Sequence, residues 1–252
     1  MSSRKRWQNI YTDENPFALP QNVANALTRC CKGHTGGGCE GVKYLWIHLP
    51  GNSETAMPVS EAKALSPEEW MCVIDEAASV GVKSMVISVG SPLRQVPQLL
   101  QLCEWAQNTH DMIIGIHAYV ALEPTDIDVL RRLDAQKTRV FADGEHIESA
   151  RFVESIGIPL HCADGLHDHE EQPHCDLPST MACVGPEGTM YTCGLVLGQE
   201  QFSLGHIFNR PLSNIIKDTT LPHTIPAGAS TNTHRCNGCP PLMAKKMQED
   251  LR

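Results

Sequence analysis

From Tyr44 to Cys162 the chain alternates between short apolar runs and amphipathic stretches, and this alternation limits its fold more than any other feature. Tyr44–Leu49 (Tyr-Leu-Trp-Ile-His-Leu) reads as a strand. Ser66 then caps a helix, with Pro67 in its first turn and Glu69 completing a capping box. Trp70, Val73, Ile74, Ala77 and Ala78 form its buried stripe, and Gly81 ends it. Lys83–Val89 is a near-continuous apolar run, the mark of a parallel strand covered on both faces. The cycle then repeats. A helix over Val96–Asn108 should bury Leu99, Leu100, Cys103 and Ala106, and a strand follows over Met112–Ile116. Thr125 caps a helix with Ile127, Leu130 and Leu133 inside, and Thr138–Ala142 is the next strand. Glu145–Ile156 reads as a helix stopped by Gly157, and Ile158–Cys162 as a last strand. Such spacing specifies an α/β fold with a parallel sheet and right-handed crossovers. Five to six strands cannot close an eight-stranded barrel, so a partial (β/α) barrel is expected.

Cysteine dominates what lies on either side. Near the end stand Cys175-x12-Gly188-x4-Cys193 and, after a gap, Cys236-x2-Cys239. Between them, Val184–Gly188 is turn-forming and Thr189–Thr192 has the β-branched and aromatic character of a strand that would deliver Cys193 to a fixed point. A short helix is expected over Leu212–Lys217. Four thiolates drawn from two segments suit a tetrahedral metal or a cubane iron–sulfur cluster. Spacing alone does not separate zinc from iron–sulfur, because a C-x2-C knuckle serves both. Cys183 lies in the same hairpin and is an alternative ligand to Cys175. At the other end, Cys30, Cys31 and Cys39, with His34 between them and Gly36–Gly38 beside them, form a second candidate metal site; the alternative is an arm carrying exposed thiols. The rest of residues 1–43 is irregular apart from a helix expected over Gln21–Thr28.

The C-terminal pattern resembles the auxiliary-cluster module, SPASM or its shortened twitch form, appended to many radical SAM enzymes. That module runs from a Cys through a spaced Gly to a Cys four residues on, then a gap, then C-x2-C; here Gly205-His206 stands where the family has glycine–asparagine. A further Cys pair of the full form is absent, so the match is to twitch. The resemblance extends upstream. Pro67–Trp105 is similar to the family's first helix, second strand and second helix, and Val89-Gly90-Ser91-Pro92-Leu93 stands at its G-G-E-P-L word, with Gly90, Pro92 and Leu93 matching. The resemblance implies a radical SAM-like partial barrel over 44–165, a small Cys-rich twitch-type domain over 166–252, and an N-terminal arm over 1–43. It also implies a 4Fe–4S cluster on Cys175, Cys193, Cys236 and Cys239. One departure decides the chemistry. After the first strand the family places C-x3-C-x2-C, which holds the catalytic cluster, whereas this chain reads Pro50-Gly51-Asn52-Ser53-Glu54-Thr55-Ala56-Met57-Pro58. Hydroxyls and a carboxylate do not replace soft thiolates. Ser91 also removes the acidic group that meets the SAM amino end in the family. SAM binding and cleavage are therefore not expected.

Three functions follow as expectations. The first is a radical SAM-derived iron–sulfur protein that serves as an electron-transfer or scaffold subunit, with protein partners in a redox or maturation complex. The second is an atypical radical SAM enzyme whose second cluster sits on the Cys30/Cys31/Cys39 arm and which modifies a peptide or cofactor. The third is a zinc-stabilised protein-binding module. A formal charge of −9, with Arg4-Lys5-Arg6 as the longest basic run, argues against nucleic acid as a partner. No apolar run approaches a membrane span and no signal-peptide core is present, so a cytoplasmic protein without membrane insertion is expected. Eleven Cys then read as ligands and buried thiols rather than disulfides. Cys72 and Cys103 are expected in the core, as are Trp46, Trp70 and Trp105. The stretch holding His161, Asp164, His167, Asp168, His169, Glu170, Glu171 and His174 reads as a solvated connector rather than a metal site. His48 and His117, each near the carboxyl end of a strand, would face the side where such sheets bind ligands.

Overall fold

The protein is described here from a computed structural model, over residues 42–49, 64–164, 166, 174–175, 180–218, 220–226 and 238–250. The Gln21–Thr28 helix, the Cys30, Cys31, Cys39 and His34 group, the Pro50–Pro58 stretch and Cys236 lie outside these residues.

Strands β1 (Tyr44–Leu49), β2 (Ser84–Val89), β3 (Ile113–Ala118), β4 (Thr138–Ala142) and β5 (Leu160–Cys162) pair in sequence order, all parallel. They are linked through helices α1 (Pro67–Ser79), α2 (Pro97–His110), α3 (Ile127–Leu130) and α4 (Ile147–Ala150). Beyond them come β6 (His174–Cys175), β7 (Met181–Val184), β8 (Thr189–Tyr191), β9 (Ser203–His206), α5 (Leu212–Lys217), β10 (Ile225–Pro226) and α6 (Pro240–Glu249). The main sheet has eight strands in the order β5-β4-β3-β2-β1-β7-β8-β9. Strand β7 lies parallel to β1, which brings the parallel set to six, and β8 and β9 return antiparallel. A separate two-stranded ladder joins β6 to β10. The fold is thus mixed α/β around a largely parallel sheet, and the hairpin of the Cys-rich segment continues that sheet rather than standing apart from it.

Local chemistry explains the element ends. At α1 both halves of the capping box form: Glu69 N–H donates to Ser66 Oγ at 3.3 Å, and Ser66 N–H donates to Glu69 Oε2 at 2.7 Å. The third helix departs from expectation. A 3₁₀ turn over Pro124–Asp126 leads into it and is capped by Glu123, whose N–H donates to Asp126 Oδ2 at 2.9 Å, while the Thr125 hydroxyl donates to Glu123 and Asp126 stands at the N-cap of the helix itself. Buried Asp126 also accepts the Arg94 N–H at 3.1 Å, so its carboxylate is committed to ending two loops, and only one α-helical turn follows. The fourth helix likewise keeps one α turn, then tightens into a 3₁₀ run over Arg151–Ile156 that Gly157 ends at φ 79°. In α2 it is Leu102, not Leu100, that joins Leu99, Cys103 and Ala106 in full burial.

Strand alternation divides the core in two. Leu45, Ile47, Leu49, Met85, Ile87, Val89, Ile114 and Ile116 face α1 and α2, packing with Trp70, Ile74, Leu99 and Leu102. Tyr44, Trp46, Val86 and Phe141 face the other way, against Met243, Ala244 and Met247 of α6. Trp46 and Trp70 are fully buried, whereas Trp105 is partly buried and donates its indole N–H to Asp75 at 2.7 Å. Cys103 is buried as expected, and Cys72 only in part.

Helix α6 lies lengthwise on its face and antiparallel to the strands. Its entry, Gly238-Cys239, is at the His117 ring near the carboxyl end of β3. At its far end Gln248 reaches Ser84 at the start of β2, and Asp250 pairs with Arg139 near the start of β4 at 3.4 Å. The approach is close in the middle, where a Cβ on Gly115 would strike the Met247 sulfur. No described helix is long and apolar enough to cross a membrane.

Candidate metal centre

The site is assembled where the strands of the α6 face end. Trp46, third in β1, and Ser88, fifth in β2, are adjacent on this face, and the buried indole N–H donates to Ser88 Oγ at 2.6 Å. His117, fifth in β3, is 1% exposed and bonds through Nε2 to Asp143 Oδ1 at 3.1 Å. Tyr119 stands between the two histidines, its ring 4.3 Å from that of His117 and 6.0 Å from that of His48. Burial, and then neighbouring His117, hold the His48 imidazole down to about 4, with Glu187 pulling the other way, so it is neutral at pH 7. Burial pushes the Tyr119 phenol up; a hydrogen bond to Ser88 opposes this, while Asp143, Cys183 and Cys193 add to it. The Nδ1 atoms of both His48 and His117 are buried without a hydrogen-bond partner among the described residues. Leaving such a group unpaired costs about 1–3 kcal/mol.

Two of the expected ligands come down onto this platform. Gly188, the glycine of the Cys175-to-Cys193 spacing, sits at φ 92° in the turn between β7 and β8, a conformation that favours glycine. Gly188 N–H donates to Gly185 O at 3.0 Å and Gly185 N–H to Thr189 O at 2.8 Å, closing the hairpin. His206 secures the same turn. Its Nδ1 accepts from Phe208 N–H at 3.2 Å, which leaves Nε2–H to donate to Glu187 O at 2.9 Å. That is the physical work of the residue standing where the resembled family has asparagine. Strand β8 then delivers Cys193, buried at 5% exposure, and the next residue, Gly194, lies on the Trp46 ring so closely that a Cβ there would overlap the benzo ring.

Cys239 arrives by another route. Gly238 N–H donates to Ala163 O at 3.2 Å and Cys239 N–H to Leu166 O at 3.0 Å, tying this turn to the end of β5. Gly238 rests on His117, with a Cβ position 3.0 Å from His117 Cε1, and Cys239 is 5% exposed at the start of α6. For Cys175 only the backbone course is described. It pairs with Ile225, which packs in the same apolar group as Cys193. Cys183, the alternative ligand, is 1% exposed on β7 beside Trp46, and burial, then Glu187, push its thiol up.

Cys193 and Cys239 are thus both buried, each next to a glycine that lies against a ring of the same sheet face. Among the described residues themselves, no three His, Cys, Asp or Glu side chains gather as a metal site. From the connector, His161 bonds Asp250 at 2.8 Å, and Asp164 accepts the Gly144 N–H at 3.0 Å. The sequence reading missed Asp143, Ser88 and Tyr119. The available signal was positional: each lies at or just past the carboxyl end of a parallel strand, as His48 and His117 do.

Compared with known proteins, no family model matches this chain and no curated protein does. Among solved structures, Streptococcus suis SuiB bound to S-adenosylmethionine superposes at a TM-score of 0.46 and 13% identity, over 89% of this chain and 73% of that one.

Proposed function

We propose that this chain is a radical SAM-like protein with a partial (β/α) barrel and a twitch-type segment, holding one 4Fe–4S cluster on Cys175, Cys193, Cys236 and Cys239. In this reading it does not cleave SAM. It serves as an electron-transfer or scaffold subunit, with a protein partner in a redox or maturation complex. The observation that carries the reading is the placement of Cys193 and Cys239. They come from separate segments, are both buried, and lie beside glycines seated on one face of the sheet.

Helix α6 supports the loss of catalysis. It fills the face that a partial barrel would turn inward, from His117 down to Ser84, with Met243 and Met247 packed against that face. The sequence between β1 and α1 offers no thiol to hold a second, SAM-binding cluster. When bound, the auxiliary cluster would supply one-electron chemistry; the chain's own contribution is to bury two of its thiols and brace the rings beneath them. The test is anaerobic reconstitution followed by incubation with dithionite and SAM. Iron and sulfide binding without 5′-deoxyadenosine is the expected result, and formation of 5′-deoxyadenosine would overturn the non-catalytic part.

A further inference from the structure

We infer that Trp46 and His117 are positioning residues of the metal centre, each acting through a glycine next to one of its thiols. The inference rests on the metal reading above. It gives Trp46, in the middle of β1, and His117, near the end of β3, a role beyond core packing.

The geometry repeats itself. On β1 the Trp46 ring is braced by Ser88 of the neighbouring strand at 2.6 Å, and Gly194, immediately after Cys193, lies flat against it. On β3 the His117 ring is braced by Asp143, just past the neighbouring strand β4, at 3.1 Å. Gly238, immediately before Cys239, lies against that ring, where an added Cβ would come 3.0 Å from His117 Cε1. Both rings project from the same face, with β2 between their strands. Their separation is therefore fixed by the hydrogen-bonded sheet. Rings seated on a sheet and locked by a partner cannot yield to a flexible loop, so the loops conform to the rings. The two Cys-bearing turns thus receive their heights and spacing from the sheet. Any side chain at 194 or 238 would lift its neighbouring thiol away, and at 238 the φ of 68° adds backbone strain of its own.

The cleaner probe is Gly194, whose conformation is open to alanine. Wild type, Gly194→Ala, Trp46→Leu, the double variant and Asp143→Asn are reconstituted anaerobically with iron and sulfide. Each is then read by metal content, loss of iron to a chelator, and the EPR spectrum of the reduced protein. Metal-free melting curves report folding separately. Gly194→Ala should lose iron about 10-fold faster than wild type, in the range typical of disturbed outer-shell partners. Adding Trp46→Leu should restore much of the retention, because it removes the ring the new methyl strikes. Asp143→Asn should leave melting near wild type and shift the EPR signal, through a loosened His117. The inference is overturned if folded Gly194→Ala keeps iron and spectrum as wild type does, or if the folded double variant is no better than Gly194→Ala. A wild-type protein that takes up neither iron nor sulfide would instead sink the cluster reading itself.

Discussion

The face of the sheet under α1 and α2 is apolar but for the buried bond from Gln107 to Thr138 at 2.9 Å, whereas the face under α6 changes character along the strands. Under α1 and α2, Ile, Leu, Val and Met from neighbouring strands meet helix residues of the same kind, and adjacent elements in the chain supply both sides. Under α6 there are three zones. The strand starts are polar, with Ser84, Arg139 and His161 meeting Gln248 and Asp250. The middle is apolar, with Val86, Gly115 and Phe141 under the methionines, and the strand ends carry His48, Ser88 and His117. The first face needs only volume and periodicity to form. The second needs particular partners brought from the far end of the chain, and Cys193 and Cys239 are buried beside it.

The largest expected effect lies on the apolar face. Trp70→Ala removes a fully buried ring and should destabilise by about 3–5 kcal/mol in denaturant titration. A loss under 1 kcal/mol would show that this face is not the main core. On the other face, Met247→Ala should cost roughly 2–4 kcal/mol, since its sulfur packs on Gly115 and its side chain is fully buried. It should also raise protease sensitivity around 240–249; unchanged protection would mean that α6 is held by something other than its methionines.

The faces differ next in the sign of their pH dependence. Glu76 of α1 is raised to about 7, by burial first, against backbone hydrogen bonds from Ser213 and Leu212 at α5. Its folded value lies above its unfolded one, so its stabilising contribution is complete below about pH 4.5 and is lost as pH rises through 7. His48 runs the opposite way: held down to about 4, it contributes fully above about 6.5 and loses that contribution as pH falls through 4. Each amounts to roughly 3 kcal/mol. Glu76→Gln should therefore flatten the alkaline limb of a stability–pH curve measured from pH 4 to 9, and His48→Gln the acid limb. Identical curves for wild type and both variants would remove the contrast. The smallest effect is expected at the exposed Arg151–Glu148 pair, where Arg151→Ala should leave the melting temperature unchanged.

Legibility in the sequence follows the same division. The parallel strands, the Ser66–Glu69 capping box and the Gly157 stop are local, and each element end is decided within a few residues, so they were readable. The Thr125 cap failed because buried Asp126, engaged with Arg94 from an earlier loop, outcompeted it. The parallel addition of β7 to β1 could not be read from periodicity, since nothing local says which edge a late strand joins. The Cys and Gly spacing marked Cys193, Cys239 and Gly188, but the bracing of His117 by Asp143 depends on two strands lying side by side, and no motif spacing encodes that.

In the proposed function, Cys175, Cys193, Cys236 and Cys239 hold a single iron–sulfur cluster. Iron, sulfide and zinc content of anaerobically purified protein, with EPR of the dithionite-reduced sample before and after SAM, tests it most directly. The expected result is about four irons and matching sulfide per chain, as one cubane requires, with one signal that SAM leaves unaltered. Zinc without sulfide would contradict it, as would a doubled iron content with a signal that moves when SAM is added.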